Sequence, residues 1–197
     1  MKEKELILLI GPAASGKGTL AEKLEKEGYE KITISNILRK YNVPIPKTGL
    51  VDDDTVINAL EKALKDSSDK VVLDGFPRTP NQALKLVSSD IRINRALVLN
   101  VNLQTLIDRA NDRVVCSKCG QSYTKIGNYK RPKVFGICDA CKAPLYKRAE
   151  DNPIDVTKRY EEYRVNNKMI LYILTKYNVK LIEVDASKEY SIKDMLD

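Results

Sequence analysis

Unbroken apolar runs alternate along the chain with residues spaced for helices. Leu6 to Ile10 is a run of five, too short for a helix of its own, and it predicts a strand buried on both faces. Val71 to Asp74 and Ala96 to Val101 read the same way, Lys31 to Ile34 is a brief strand, and Lys180 to Val184 is the last. Helical patterns lie between them. Leu20 to Lys26 follows the first strand, and Ser35 can cap a short helix over Asn36 to Lys40. Asp52, Asp53 and Asp54 put negative charge at the start of a helix whose Val56, Leu60, Ala63 and Leu64 share a face. Pro80 opens a helix over Gln82 to Val87, and Leu103 to about Asn111 forms another. Pro153 begins a long helix with Val156, Tyr160, Tyr163, Met169, Ile170 and Ile173 at roughly helical intervals, and Ser191 to Leu196 is a short one. Tyr41 to Gly49, with two prolines and a glycine, is a loop. Strands alternating with helices predict an α/β fold, a parallel sheet covered by helices on both sides.

Arg113 to Arg148 breaks this rhythm. It is rich in turns, carries nine Lys or Arg against one acid, Asp139, and holds all four cysteines of the 197-residue chain, which marks it as an inserted subdomain. Cys116-x-x-Cys119 and Cys138-x-x-Cys141 are separated by eighteen residues, the spacing of two knuckles that close one tetrahedral site. Gly120 suits the sharp turn of the first knuckle. Met1 to Glu5 lacks a secretory signal, so zinc is favoured over disulfides and a cytoplasmic location is expected. Four thiolates fill the coordination shell, so such a metal holds structure and has no open position for catalysis. A small insertion with few apolar residues needs that staple. Histidine is absent, which excludes a Ser-His-Asp triad and makes any zinc site here all-sulfur. No apolar run is long enough for a bilayer, so no membrane partner is expected. The net charge of +7 points to anionic partners, nucleotides or nucleic acid.

Nucleotide chemistry has a more specific signature. Leu6 to Thr19 reads LILLIGPAASGKGT, and strand, Gly-bounded loop and helix form the context in which G-x-x-x-x-G-K cradles phosphate. Glycines let the backbone curl so that N–H groups point inward. The helix N-terminus adds partial positive charge, and Lys17 adds a full one. The strict P-loop places Ser or Thr directly after Lys, whereas here Gly18 intervenes before Thr19. Val71-Val72-Leu73-Asp74 ends in an acid as a Walker B strand does, and Asp74 can either organise Mg²⁺ beside the phosphates or cap the next turn. Gly75 follows it, where ATPases that activate water usually place Glu.

GPAASGKGT, LDGFPRT with Gln82, IDRANDR (Ile107 to Arg113), RAED (Arg148 to Asp151) and KRYEEY (Lys158 to Tyr163) stand in the order and spacing of the adenylate kinases. The chain resembles that family over essentially its whole length, in the form that carries a zinc-binding lid. The resemblance implies a P-loop core from residues 1–34, 50–112 and 150–197, a shortened acceptor-binding segment at 35–49 and a lid at 113–149. It implies phosphoryl transfer from Mg-ATP to AMP, with Ala14, Ser15, Gly16, Lys17, Gly18 and Thr19 holding the donor phosphates. Arg109, Arg113, Ser122, Tyr123 and Ala186 would also meet ATP. Ile34, Arg39, Val51, Gly75, Phe76, Arg78 and Gln82 would meet the acceptor monophosphate, with Arg148 and Arg159 reaching the transferring group. Lys17, Asp74, Arg78, Arg113, Arg148 and Arg159 would carry the catalysis. Arginine suits this work, because its planar fork neutralises two phosphate oxygens at once.

The chain departs from the family pattern at Ala14, a usual Gly, at Ile34, a usual Thr, and at Ser35-Asn36, a usual Gly-Asp. Ile34 cannot donate a hydrogen bond, and apolar walls discriminate weakly, so relaxed selectivity for AMP is expected. A kinase preferring UMP, CMP or GMP is the alternative within the class. Outside it, a nucleotide-gated zinc ribbon could read nucleic acid with Lys118, Lys125, Lys130 and Lys133 interleaved with Tyr123, Tyr129 and Phe135. Nucleic acid is the disfavoured partner, because Arg113 and Arg148 have a better use at the lid hinges. No pattern specifies an oligomer.

Overall fold

Leu6 to Ile10 forms the strand that its apolar run predicts, β1 (Glu5–Ile10). The computed structural model describes residues 4–44, 51–126 and 130–196. The elements after β1 are α1 (Lys17–Lys26), β2 (Glu30–Thr33), α2 (Ile34–Lys40), α3 (Asp53–Lys65), β3 (Lys70–Asp74), α4 (Pro80–Ser88) and β4 (Arg95–Asn100). They continue as α5 (Leu103–Asp112), β5 (Arg113–Cys116), β6 (Ser122–Thr124), β7 (Leu145–Tyr146), α6 (Pro153–Lys176), β8 (Lys180–Asp185) and α7 (Lys193–Leu196). The chain divides into two compact units, Met1–Asn100 with Glu162–Asp197, and Val101–Glu161.

The first unit is a five-stranded parallel sheet in the order β2-β3-β1-β4-β8, the α/β architecture expected. Leu6, Leu8 and Ile10 join a core that holds Val56 and Leu60 of α3, Leu86 of α4, and Ile170 and Leu174 of α6. Ile7 and Leu9 point to the opposite face by strand alternation and are equally inaccessible, and α1 packs on β1, β2 and β3. Burial on both faces is why the strand shows no polar alternation. From β1 the chain builds outward to β2 and β3 on one side and later crosses to β4 on the other. Ligands of open α/β sheets bind at such a switch point, outside the carboxyl ends of the strands.

Two local expectations change. Thr33, not Ser35, caps α2: it is extended, and its Oγ1 accepts from the Asn36 N–H at 3.2 Å. The strand hands over to the helix with no intervening turn, so the last strand residue becomes the cap. Met169, expected on the buried face of α6, is half exposed, because Ile170 and Leu174 take the inward positions. Of the loop predicted over Tyr41 to Gly49, residues 45–49 lie outside the described residues.

In the second unit, Asn102 caps α5 by accepting from the Thr105 N–H at 2.8 Å. A small antiparallel sheet in the order β6-β5-β7 follows, and the first turns of α6, through Glu161, complete the unit. Tyr129 lies outside the described residues. No described helix is long and apolar enough to cross a membrane.

Candidate active site and metal site

The loop after β1 is drawn tight against the sheet. A Cβ on Gly11 would lie 2.8 Å from Ser15 Oγ and 3.1 Å from Leu99 Cβ on β4, so only glycine lets the backbone pass. Gly16 ends the loop at φ +99° and is the N-cap of α1, whose first helical bond runs from the Leu20 N–H to the Gly16 carbonyl at 2.9 Å. The N–H groups of a first helical turn have no acceptor within the helix, so this end attracts an anion. Lys17 Nζ curls back to donate to the carbonyls of Gly11 and Pro12, both at 2.7 Å, which keeps its charge over the loop. Ala14 takes a left-handed φ of +64°, a conformation that glycine adopts without strain. Gly18 and Thr19 lie in the first turn of α1.

β3 runs alongside β1 with Asp74 in register with Leu9, so the chain leaves both strands at the same level of the sheet. The Asp74 carboxylate is 3.7 Å from Lys31 Nζ. That ammonium also lies 3.9 Å from where a Cβ on Gly18 would be, so it stands beside the first turn of α1. Lys31 has no motif of its own. Its placement follows from the β2–β3 register, Thr33 opposite Asp74, which the sequence does not display.

Gly75 turns at φ +84°, and the Phe76–Pro77 peptide is cis. Arg78 folds back so that its Nε donates to the Gly75 carbonyl at 2.8 Å, leaving its Nη2 3.1 Å from where a Gly75 Cβ would sit. Phe76 is buried in the core, so its side chain is not offered to a ligand. Gln82, in the first turn of α4, accepts from the Arg78 N–H at 2.8 Å and donates from Nε2 to Asp53 Oδ1 at 3.0 Å. Asp53 appeared in the sequence only as helix-start charge. Ile34 and Val51 pack at the edge of the same core, while Arg39 is exposed in the last turn of α2. Beyond β8, the Ala186 N–H donates to the Asn100 carbonyl at 3.0 Å.

The second unit gathers arginines by itself. Arg109 lies in the last turn of α5, and Arg113, its extended C-cap, opens β5. Arg113 forks onto Asp151 through Nε, 2.9 Å from Oδ2, and through Nη2 onto Oδ1. Asp151 is 0% exposed and Arg113 19%. The Asp151 N–H in turn donates to the Arg148 carbonyl at 3.2 Å, which ties this arginine's backbone to the same corner. Arg159 is half-buried on α6, and Ser122 is half-buried on β6. Tyr123, expected to meet ATP, is buried in the cysteine core. Its hydroxyl lies 3.4 Å from Cys138 Sγ and accepts from the Asp139 N–H at 2.9 Å, so its side chain is committed elsewhere.

The four sulfurs of Cys116, Cys119, Cys138 and Cys141 lie within 4.8 Å of one another. Cys116 and Cys141 are 3.3 Å apart, Cys119 and Cys138 3.6 Å. A tetrahedron with about 2.3 Å metal–sulfur bonds needs edges of about 3.8 Å, so the cluster fits one ion. Each knuckle closes alike: the Gly120 N–H reaches the Cys116 carbonyl at 3.1 Å, and the Lys142 N–H the Cys138 carbonyl at 3.0 Å. Both closing residues have positive φ, +75° and +61°, so lysine does in the second knuckle what glycine does in the first. The Tyr123 hydroxyl, donating to the sulfur, is the largest influence that lowers the Cys138 thiol to about 6. The sulfur is thereby disposed to the thiolate that a metal requires.

The adenylate kinase family model matches residues 9–179. An adenylate kinase of Mesoplasma florum is 34% identical, with the match covering 80% of this chain and 81% of that protein. Similar relatives of the same name come from Ureaplasma urealyticum serovar 10, at 32% identity over 97% of this chain and 94% of that protein, and from Pyrococcus furiosus, at 32% over 88% and 85%.

Proposed function

The chain belongs to the adenylate kinase family, and from that premise we propose how its own residues serve as an ATP:AMP phosphotransferase. What carries the proposal is the pair of loops leaving β1 and β3 side by side. One is a phosphate cradle under Lys17, and the other presents a guanidinium, Arg78, and an amide, Gln82. A polyphosphate and a nucleoside monophosphate have complementary places there. The terminal phosphoryl of ATP passes directly to the AMP phosphate in line, giving two ADP with no covalent enzyme intermediate.

Phosphoryl transfer asks the protein for position and charge more than for covalent chemistry. The N–H groups from Ala14 to Thr19 and the Lys17 ammonium hold the donor phosphates. Arg39 and Arg78 hold the acceptor phosphate. Arg109, Arg113, Arg148 and Arg159 supply the cations of the second unit, and Ser122 and the chain near Ala186 line the ATP site. Mg²⁺ accompanying ATP would neutralise charge between phosphates. Asp74 offers the oxygen donors that a hard cation takes, beside the loop that binds phosphate. Residues 113–149 act as a lid that excludes water from the transfer. Zinc on the four cysteines holds that lid's fold, in a cytoplasm that keeps the thiols reduced. Ile34 gives the acceptor pocket an apolar wall, so selectivity for the base is relaxed and falls mainly to Gln82.

A coupled assay of ADP formation tests this. Turnover that requires AMP beside Mg-ATP, and that CMP, UMP or GMP support less well, is expected. Slow hydrolysis indifferent to any monophosphate would overturn the kinase assignment, and faster turnover with another monophosphate would overturn AMP as the acceptor.

A further inference from the structure

We propose that Asp53 is a positioning residue that sets which edge of a purine Gln82 reads. The inference rests on Gln82 meeting the acceptor base. A glutamine amide can be placed either way round. One orientation offers N–H where the other offers C=O, and the two suit opposite purines. Adenine presents an acceptor at N1 and a donor at its 6-amino group. A 6-oxopurine presents a donor at N1 and an acceptor at O6. An amide free to turn over would accommodate both.

Here it is not free. Nε2 donates to Asp53 Oδ1 at 3.0 Å, and Oε1 accepts from the backbone N–H of Arg78 at 2.8 Å. Turned over, the amide would set its oxygen against a carboxylate and its NH₂ against an N–H donor, which is repulsive at both ends. Each locked atom keeps one valence to spare, a second N–H on Nε2 and a second lone pair on Oε1, so the amide can still pair with a base. The lock is built from two helices. Asp53 begins α3, its other oxygen accepts from Asn81 Nδ2, and Gln82 follows Asn81 in the first turn of α4. Neighbouring Asp54 and Lys85 form an ion pair across the same two helices, whereas the Gln82 amide bonds run to Asp53 and Arg78. That pair provides the internal control. With Ile34 contributing no hydrogen bond, a fixed Gln82 is what separates 6-aminopurine from 6-oxopurine at this site.

AMP and IMP are the probes, because their bases differ only at this edge. In the wild type, kcat/KM for AMP exceeds that for IMP. Asp53→Ala should reduce the AMP-to-IMP ratio about tenfold, the worth of one charge-assisted hydrogen bond. The change should lie mostly in KM for the monophosphate, with KM for ATP unchanged. Asp53→Asn, which keeps an acceptor oxygen, should recover part of the ratio and serves if the alanine variant folds poorly. Lys85→Ala loosens the same helix pair and should leave the ratio as it is. Gln82→Ala separates the two levels of inference. If it abolishes discrimination while both Asp53 variants preserve it, the lock is wrong. If Gln82→Ala itself leaves the ratio intact, the placement of Gln82 at the base is wrong. A ratio that falls equally in the Lys85 and Asp53 variants means helix packing, not amide orientation, and also overturns the proposal.

Discussion

Removing Arg113 should damage the second unit far more than neutralising its partner. The Asp151 carboxylate is 0% exposed and held by two guanidinium nitrogens, whereas the Arg113 side chain keeps 19% of its surface. Arg113→Ala therefore strands a buried charge, a change that costs about 3–5 kcal/mol. Asp151→Asn keeps the shape and one acceptor oxygen, and the guanidinium can turn toward water, so the expected cost is about 1–3 kcal/mol. Replacing both at once, Arg113→Met with Asp151→Leu, removes the desolvated charges together and should lie within about 2 kcal/mol of the wild type. At about 2–4 °C per kcal/mol for a chain of this length, Arg113→Ala lowers Tm by about 6–20 °C. Urea titration followed by circular dichroism, with zinc held in excess, measures the three variants on one scale. The order Arg113→Ala, then Asp151→Asn, then the double variant is the signature. Equal costs for the two single variants, or strictly additive costs in the double, would refute the account of Asp151 as a charge buried for Arg113. Activity separates the roles further. Asp151→Asn retains the guanidinium and should keep more kcat than Arg113→Ala.

Three more outcomes are expected. The chain should contain one zinc per molecule by metal analysis, and chelation or Cys119→Ser, a ligand change at an exposed position, should lower Tm by several degrees. Ala14→Gly relieves a left-handed alanine worth about 1–2 kcal/mol, offset by about 0.4–1 kcal/mol of added chain entropy when unfolded, so thermal unfolding should show an unchanged or slightly raised Tm. A clear loss of stability there would mean that Ala14 makes contacts its backbone conformation does not suggest. Lys31→Gln removes a cation 3.7 Å from Asp74. KM for ATP should rise a few-fold while the Mg²⁺ concentration giving half-maximal rate falls, because the carboxylate loses a competing positive charge. Kinetics at varied Mg²⁺ would expose a merely structural lysine by changing neither.

Wherever a physical requirement is local, the sequence was explicit. Gly11 and Gly16 suit a close strand and a positive φ, and both precede Lys17 at fixed spacing. The two CxxC knuckles need only a few residues each to turn, so their sulfurs could be paired on spacing before any fold was known. The unbroken apolar strands announced a sheet covered on both faces. What stayed hidden was each partner that comes from another strand or helix. Lys31 reaches Asp74 through the β2–β3 register. Asp53 reaches Gln82 because two helix starts meet. Tyr123 packs into the cysteine cluster because Cys138 lies behind its hydroxyl. Met169 gives way to Ile170 because a long helix with apolar residues on several sides is oriented by its neighbours. Backbone conformation and the spacing of the cysteine pairs are settled within a few bonds, so the sequence alone determined the glycine loop after β1, the cysteine cluster and the fold class. The orientation of the charged and amide groups around them depends on contacts between distant segments, and only the tertiary structure decided it.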